Sequence, residues 1–233
     1  MTDVSRPGDG ISDGNGAEES FLSPERPVTI PTIRFDNHEV TLAQYRLCVR
    51  AEHCKVPVEA EKVAVYTAGD PRLPVVNVTA MDAADYCRWV GRRLPSMQEW
   101  ERAARGLGGR PYPWGTAEPT LRRVNAGLPG APNALVRVDD QRLAPGDTPE
   151  GISELIGNAG EWTATHVRQG KGEALIALGP WDGREAVDFL ALMGGDYYNE
   201  PAPAYAGLTA EPTYHDELTG FRCAASINEG TEK

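Results

Sequence analysis

The stretch Arg93-Leu-Pro-Ser-Met-Gln-Glu-Trp-Glu-Arg-Ala-Ala-Arg105 decides how this chain is read. Ser96 and Glu99 form a capping box: the hydroxyl accepts from a first-turn N–H, and the carboxylate returns a bond to the cap's own N–H. Trp100, Ala103 and Ala104 then share one helical face, and Gly106 stops the helix. Two further starts precede it. Thr79-Ala-Met-Asp82 leads into Ala83, Ala84, Cys87 and Val90 and halts at Gly91, while Thr41-Leu-Ala-Gln44 opens a helix with Leu42, Tyr45, Cys48 and Val49 on one face.

Outward from these helices the texture changes. Val28, Ile30, Ile33 and Phe35 suggest an extended segment ahead of the first helix. From about residue 107 to 220, short apolar runs such as Ala174–Leu178 and Phe189–Met193 alternate with Gly, Pro and Asp, the pattern of short strands between long loops. Residues 1–27 are rich in Gly, Asp, Ser and Glu without apolar periodicity and read as a loosely attached arm, followed by a folded domain over 28–226 and a tail over 227–233. Few helices followed by short strands make the class α+β. Long ordered loops lack a ladder for their backbone groups, so they need ions, disulfides or side-chain caps.

Composition narrows the partners. The chain has 233 residues with a formal charge of −11, and its 25 Gly and 19 Pro argue against a helix bundle or coiled coil. The acidic balance, with no dense Lys/Arg stripe, excludes nucleic acid as the expected partner. No run reaches the roughly 20 apolar residues of a membrane-spanning helix. Residues 1–20 lack the basic start and apolar stretch of a secretory signal, although paired cysteines would suit an extracytoplasmic site. Trp89, Trp100, Trp114 and Trp162 are expected in the core; Trp181 lies in a loop.

Six ordered motifs carry a resemblance: Pro74-Val-Val-Asn-Val78, Asp82-Ala-Ala-Asp-Tyr-Cys-Arg-Trp89 with the Arg93–Arg105 stretch, Tyr112-Pro-Trp-Gly115, Gly157-Asn-Ala-Gly-Glu-Trp162, Gly194-Gly195 and Gly220-Phe-Arg-Cys223. Over roughly residues 28–226 they resemble the formylglycine-generating enzyme, or sulfatase-modifying-factor, family. The resemblance implies a loop-rich variant of the C-type-lectin-like fold. It also implies a disulfide between Cys87 and Cys223, worth on the order of 4 kcal/mol by loop closure. Cys48 and Cys54 remain open between a local disulfide and two thiols.

Catalysis by the family's copper route is not expected. Counted from the Gly pair, its two copper cysteines fall on Asn199 and Ala204, its active-site serine on Asp196, and the first Trp of its Trp-Glu-Trp motif on Gly160. Copper is therefore not an expected cofactor. The four histidines, His38, His53, His166 and His215, stand singly, without the pairing a non-haem iron site uses. The resemblance implies structural calcium instead, held by the side chains of Glu154 and Glu161 and the carbonyls of Gly157 and Ala159. A second site would open at Asn125-Ala126. The segment with Asp196, Tyr197, Tyr198, Asn199, Tyr205, Tyr214 and His215 would line the groove in which the family's activators bind peptide. The expected function is a non-catalytic module for a protein, peptide or small ligand. The alternatives are an altered metal-dependent oxidoreductase or an accessory subunit to a related catalytic chain.

Overall fold

The computed structural model describes residues 29–57, 69–169 and 175–227. The expected arm, Val28 and the tail beyond 227 lie outside the described residues.

Local chemistry builds the helices where the capping boxes place them. Thr41 and Gln44 cap α1 (Leu42–Arg50), Thr79 and Asp82 cap α2 (Ala80–Trp89), and Ser96 and Glu99 cap α3 (Met97–Arg105), each with both reciprocal bonds formed. Gly91 and Gly106 follow α2 and α3 with φ of 73° and 63°, the left-handed turn that ends a helix. The buried faces are those of the apolar spacing: Leu42, Tyr45 and Cys48 on α1, Ala83 and Cys87 on α2, Trp100 and Ala104 on α3.

The Glu99 box is reinforced from outside the helix. Arg93 grips both carboxylate oxygens at 2.6 Å, and the Ser96 N–H donates to one at 2.8 Å. Burial alone would raise this carboxyl, but the guanidinium and the cap N–H outweigh it and hold it below 4.5. A depressed folded-state value contributes stability above the unfolded value, and that contribution is lost as pH falls through the folded one. Glu99→Gln is expected to cost about 1–2 kcal/mol at pH 7. Urea titrations across pH should show the gap to the unsubstituted protein closing as the pH falls through the lowered value of the folded carboxyl.

One long strand organises the sheet. β2 (Gly160–Gln169) pairs antiparallel with β3 (Leu175–Pro180) on one side and β4 (Leu190–Met193) on the other, and β5 (Gly207–Ala210) extends the sheet from β4. The short β6 (Thr219–Gly220) runs parallel to the start of β2, placing Gly220 opposite Glu161. β1 (Ile33–Phe35) and β7 (Ala224–Ser226) form a separate two-stranded sheet. Two apolar clusters fill the interior. Tyr45, Tyr86, Trp162 and Phe221 centre the first, and Trp100, Val124, Ile156 and Met193 the second. Trp181 joins the first cluster, 5% exposed, whereas Trp89 and Trp114 pack against the clusters without being enclosed. Both cysteine pairs are disulfides, Cys48–Cys54 and Cys87–Cys223.

Candidate functional site

Behind the surface segments a buried polar network holds the loops together. Arg222, fully buried, follows β6 and directs its fork at Glu161 on β2, with N···O distances of 2.7 to 2.9 Å. Its remaining donors reach four carbonyls in two loops: Asp36 and Asn37 on one side, Ser153 and Glu154 on the other. The Trp100 indole N–H donates to Glu161 Oε2 at 2.7 Å, tying α3 to the same carboxylate. A single guanidinium thus supplies the donors that a strand ladder would otherwise provide.

Beside it lies the loop expected to hold calcium. Asn158 donates through Nδ2 to both oxygens of buried Glu39, and the Ala159 N–H donates to Glu39 Oε1. Burial pushes the Glu39 carboxyl up to about 8 against the pull of Arg222. Glu154 is buried as well. Desolvation, then the charge of Glu39, hold its carboxyl well above the usual range, and no side-chain hydrogen bond among the described residues ends on it. The turn is strained: Glu154 and Asn158 have φ of 54° and 58°. Gly157, at φ 80°, permits a close approach that a Cβ would spoil, since one built there would sit 2.3 Å from the Asn125 carbonyl.

Asn125 joins the two expected calcium segments. Its carbonyl accepts from the Asn158 N–H, and its Nδ2 donates to Asn158 Oδ1 and to the Ala134 carbonyl. Its own Oδ1 is buried without a hydrogen-bond partner. Ala126, next to it, is fully buried. A hard cation suits an orphaned amide oxygen, and it suits a carboxylate on which no side-chain hydrogen bond ends, so Asn125 fits the second expected site and Glu154 the first. Glu161 fits it less well, because Arg222 and Trp100 already engage its oxygens. Among the described residues no three His, Cys, Asp or Glu side chains group as a metal site.

The expected groove residues fall in two places. Asp196 does not face outward: it is 8% exposed and caps its own turn, accepting from the N–H groups of Tyr198 and Asn199 and from Asn199 Nδ2. This turn is pinned by the Gly127 N–H, which donates to the Asn199 carbonyl at 2.7 Å. Tyr198 stands 66% exposed there. Further along, Tyr205 lies under the Arg105 guanidinium at 5.1 Å, near the stacked pair Tyr112 and Trp114. Tyr214 and His215 belong to the second place. The Tyr214 hydroxyl donates to Asp216 at 2.5 Å, a bond that with burial lifts it to about 12, and His215 Nδ1 meets Asn77 Oδ1 at 3.1 Å. Half-buried Tyr197 is held above its usual range, first by burial and then by the charges of Glu217, Asp196 and Asp216.

Comparison with known proteins settles the ancestry. The model of the sulfatase-modifying factor enzyme 1-like domain matches residues 4–227. The chain belongs to the formylglycine-generating enzyme family. Inactive C-alpha-formylglycine-generating enzyme 2 of Mus musculus is 33% identical over 167 residues, covering 69% of this chain and 51% of the relative. Formylglycine-generating enzyme of Bos taurus is 29% identical over 201 residues, covering 80% and 52%. The chain thus spans about half the length of the curated relatives it matches. Among solved structures, PvdO from Pseudomonas aeruginosa superposes with a TM-score of 0.68 at 20% identity over 92% of this chain and 90% of that one. Treponema denticola variable protein 1 gives 0.65 at 16% identity, covering 91% of each. The three helices and mainly antiparallel sheets of the described residues are this family's fold.

The two positions onto which the count from the Gly pair puts the family's copper cysteines lie among the described residues. Asn199 is exposed, with its amide nitrogen committed to Asp196, and Ala204 is fully buried in the second apolar cluster. All four cysteines are in disulfides. These residues do not fit a thiolate-held Cu(I) site.

Proposed function

We propose that this chain is a non-catalytic member of the formylglycine-generating enzyme family that acts as a protein- or peptide-binding domain. The observation that carries the reading is the pair Asn199 and Ala204, an amide tied into a turn and a methyl packed in the core where the family's activators present sulfur. A relative whose name describes it as inactive supports the same reading. Exposed Tyr198 and Tyr205, the latter stacked under Arg105, offer contact area with little rotamer entropy to lose. With copper added, the protein should consume no oxygen above background in the presence of a Cys-containing sulfatase peptide; turnover would overturn the reading. A displayed peptide library panned on the protein should enrich sequences that lose binding to Tyr198→Ala and Tyr205→Ala. A library that never enriches, or one indifferent to both substitutions, counts against this surface.

The same reading includes structural calcium at the two expected places. The side chains of Glu154 and Glu161 and the carbonyls of Gly157 and Ala159 would hold one ion, and a second would sit at Asn125-Ala126. Such an ion would pin loops by mass action, about 2.7 kcal/mol at a hundredfold excess over Kd. Adding Ca²⁺ to chelator-treated protein should raise Tm, and Glu154→Gln and Asn125→Ala should each reduce the increment. An unchanged Tm would remove calcium from the account.

A further inference from the structure

An open cleft of about 500 Å³ separates the loop after β3 from the turn after β5. Its exposed apolar surface comes from Met81 on α2 and Phe189, 43% and 39% exposed, over buried Trp181. Around it stand Glu185, Asp188 and Glu211, with Arg184 as the one cation among the described lining residues and Arg88 behind Gly183. Both walls are pre-set. The Trp181 indole N–H donates to the Glu185 carbonyl at 3.0 Å, and Asp182 Oδ1 accepts from the N–H groups of Arg184 and Glu185. Opposite, the Ala80 N–H donates to the Pro212 carbonyl at 3.1 Å, fastening the turn to α2.

A second sizeable cleft differs in charge. There Arg72, Arg137 and Arg142 are each met by a carboxylate, from Asp70, Asp139 and Asp140, so its surface is already neutralised. Around Trp181, by contrast, Glu185, Asp188 and Glu211 form no ion pair among the described residues. Large apolar side chains left half-exposed in a concavity, ringed by unneutralised carboxylates, complement one chemistry: an apolar side chain between cations. We infer that this cleft docks a partner protein's peptide segment that presents an apolar side chain flanked by Lys or Arg. A phosphate-bearing ligand would meet repulsion on the same rim. The inference rests on the reading of the chain as a protein-binding domain, and names a second contact surface apart from Tyr198 and Tyr205.

The test uses the full chain, labelled with ¹⁵N, and three nonapeptides: a central Leu among Lys residues, the same Leu among Glu residues, and a central Ser among Lys residues. The Lys-flanked Leu peptide should shift amides of the 181–189 loop and the 211–213 turn, more weakly at high salt. The Glu-flanked peptide should give no shift, and the Ser peptide at least a fivefold weaker response. Glu185→Lys combined with Glu211→Lys, and separately Met81→Ser, should each weaken binding about tenfold at unchanged Tm. Equal response to both charge types, or cleft shifts that appear on concentrating the protein alone, would overturn the inference. If the Leu peptide instead shifts the Tyr198 and Tyr205 region, the cleft loses its role while the binding-domain reading stands. Turnover of the sulfatase peptide, with the cleft still binding, would give the reverse result.

Discussion

Replacing Arg222 with Met lowers the free energy of unfolding by about 3–5 kcal/mol, the cost of removing one partner from a buried ion pair. The side chain is fully buried, so water cannot take its place at Glu161. Glu161 keeps the Trp100 indole N–H but loses its charge partner. The carbonyls of Asp36, Asn37, Ser153 and Glu154 lose the donors that Arg222 supplies. Arg222→Lys retains the charge without the planar fork and recovers only part of the loss, because an ammonium cannot span the carboxylate and two loops together. Exchanging Arg222 and Glu161 for Met and Leu together removes the orphaned charge and should be milder than Arg222→Met alone, by the logic of a double-mutant cycle. Urea titrations with a constant m-value would establish this ordering. A loss under 1 kcal/mol for Arg222→Met would show that the clamp is dispensable.

Cys87→Ala with Cys223→Ala removes the longer disulfide and should cost about 4 kcal/mol, with a Tm lower by roughly 10 °C or more. The bridge spans 136 residues and joins α2 to the segment just after Arg222. Opening so long a loop returns most of the domain's chain entropy to the unfolded state. Both sulfurs belong to fully buried residues in the first apolar cluster, so the methyl replacements also leave a small void. The Cys48–Cys54 bridge closes only six residues and constrains the unfolded chain far less. Its double replacement should therefore cost clearly less, with Tyr45 and Leu42 still holding α1 in the core. Melts of the two double variants side by side check the ranking. Equal losses would mean that local packing, rather than loop closure, sets the contribution.

Much of the fold was legible residue by residue. Thr41 with Gln44, Thr79 with Asp82 and Ser96 with Glu99 each settle a helix start within four residues, and the folded chain forms all three boxes. The apolar runs around 174–178 and 189–193 become β3 and β4 for the same reason, strand patterning being local. The candidate site was legible only in part. Arg222 stood in the quoted Gly-Phe-Arg-Cys motif without an assigned role, and Glu39 gave no periodic or spacing signal. Their partners lie 61 and 119 residues away. Asp196 was expected to face the groove, yet its carboxylate turns back onto the N–H groups beside it. The Trp181 cleft joins the connection after β3 to Met81, on a helix far away in sequence, and to the turn after β5.

By itself, then, the sequence determined the three helices, the α+β class and the family, because caps, periodicity and ordered motifs are written over neighbouring residues. The tertiary structure alone decided which buried charges meet, which tyrosines stay exposed and where a cleft opens. Those outcomes follow from desolvation. Whether a carboxylate is stabilised, shifted or left unpartnered depends on what the folded chain brings within about 3 Å of it, and residues more than a few positions apart in sequence do not encode that distance locally.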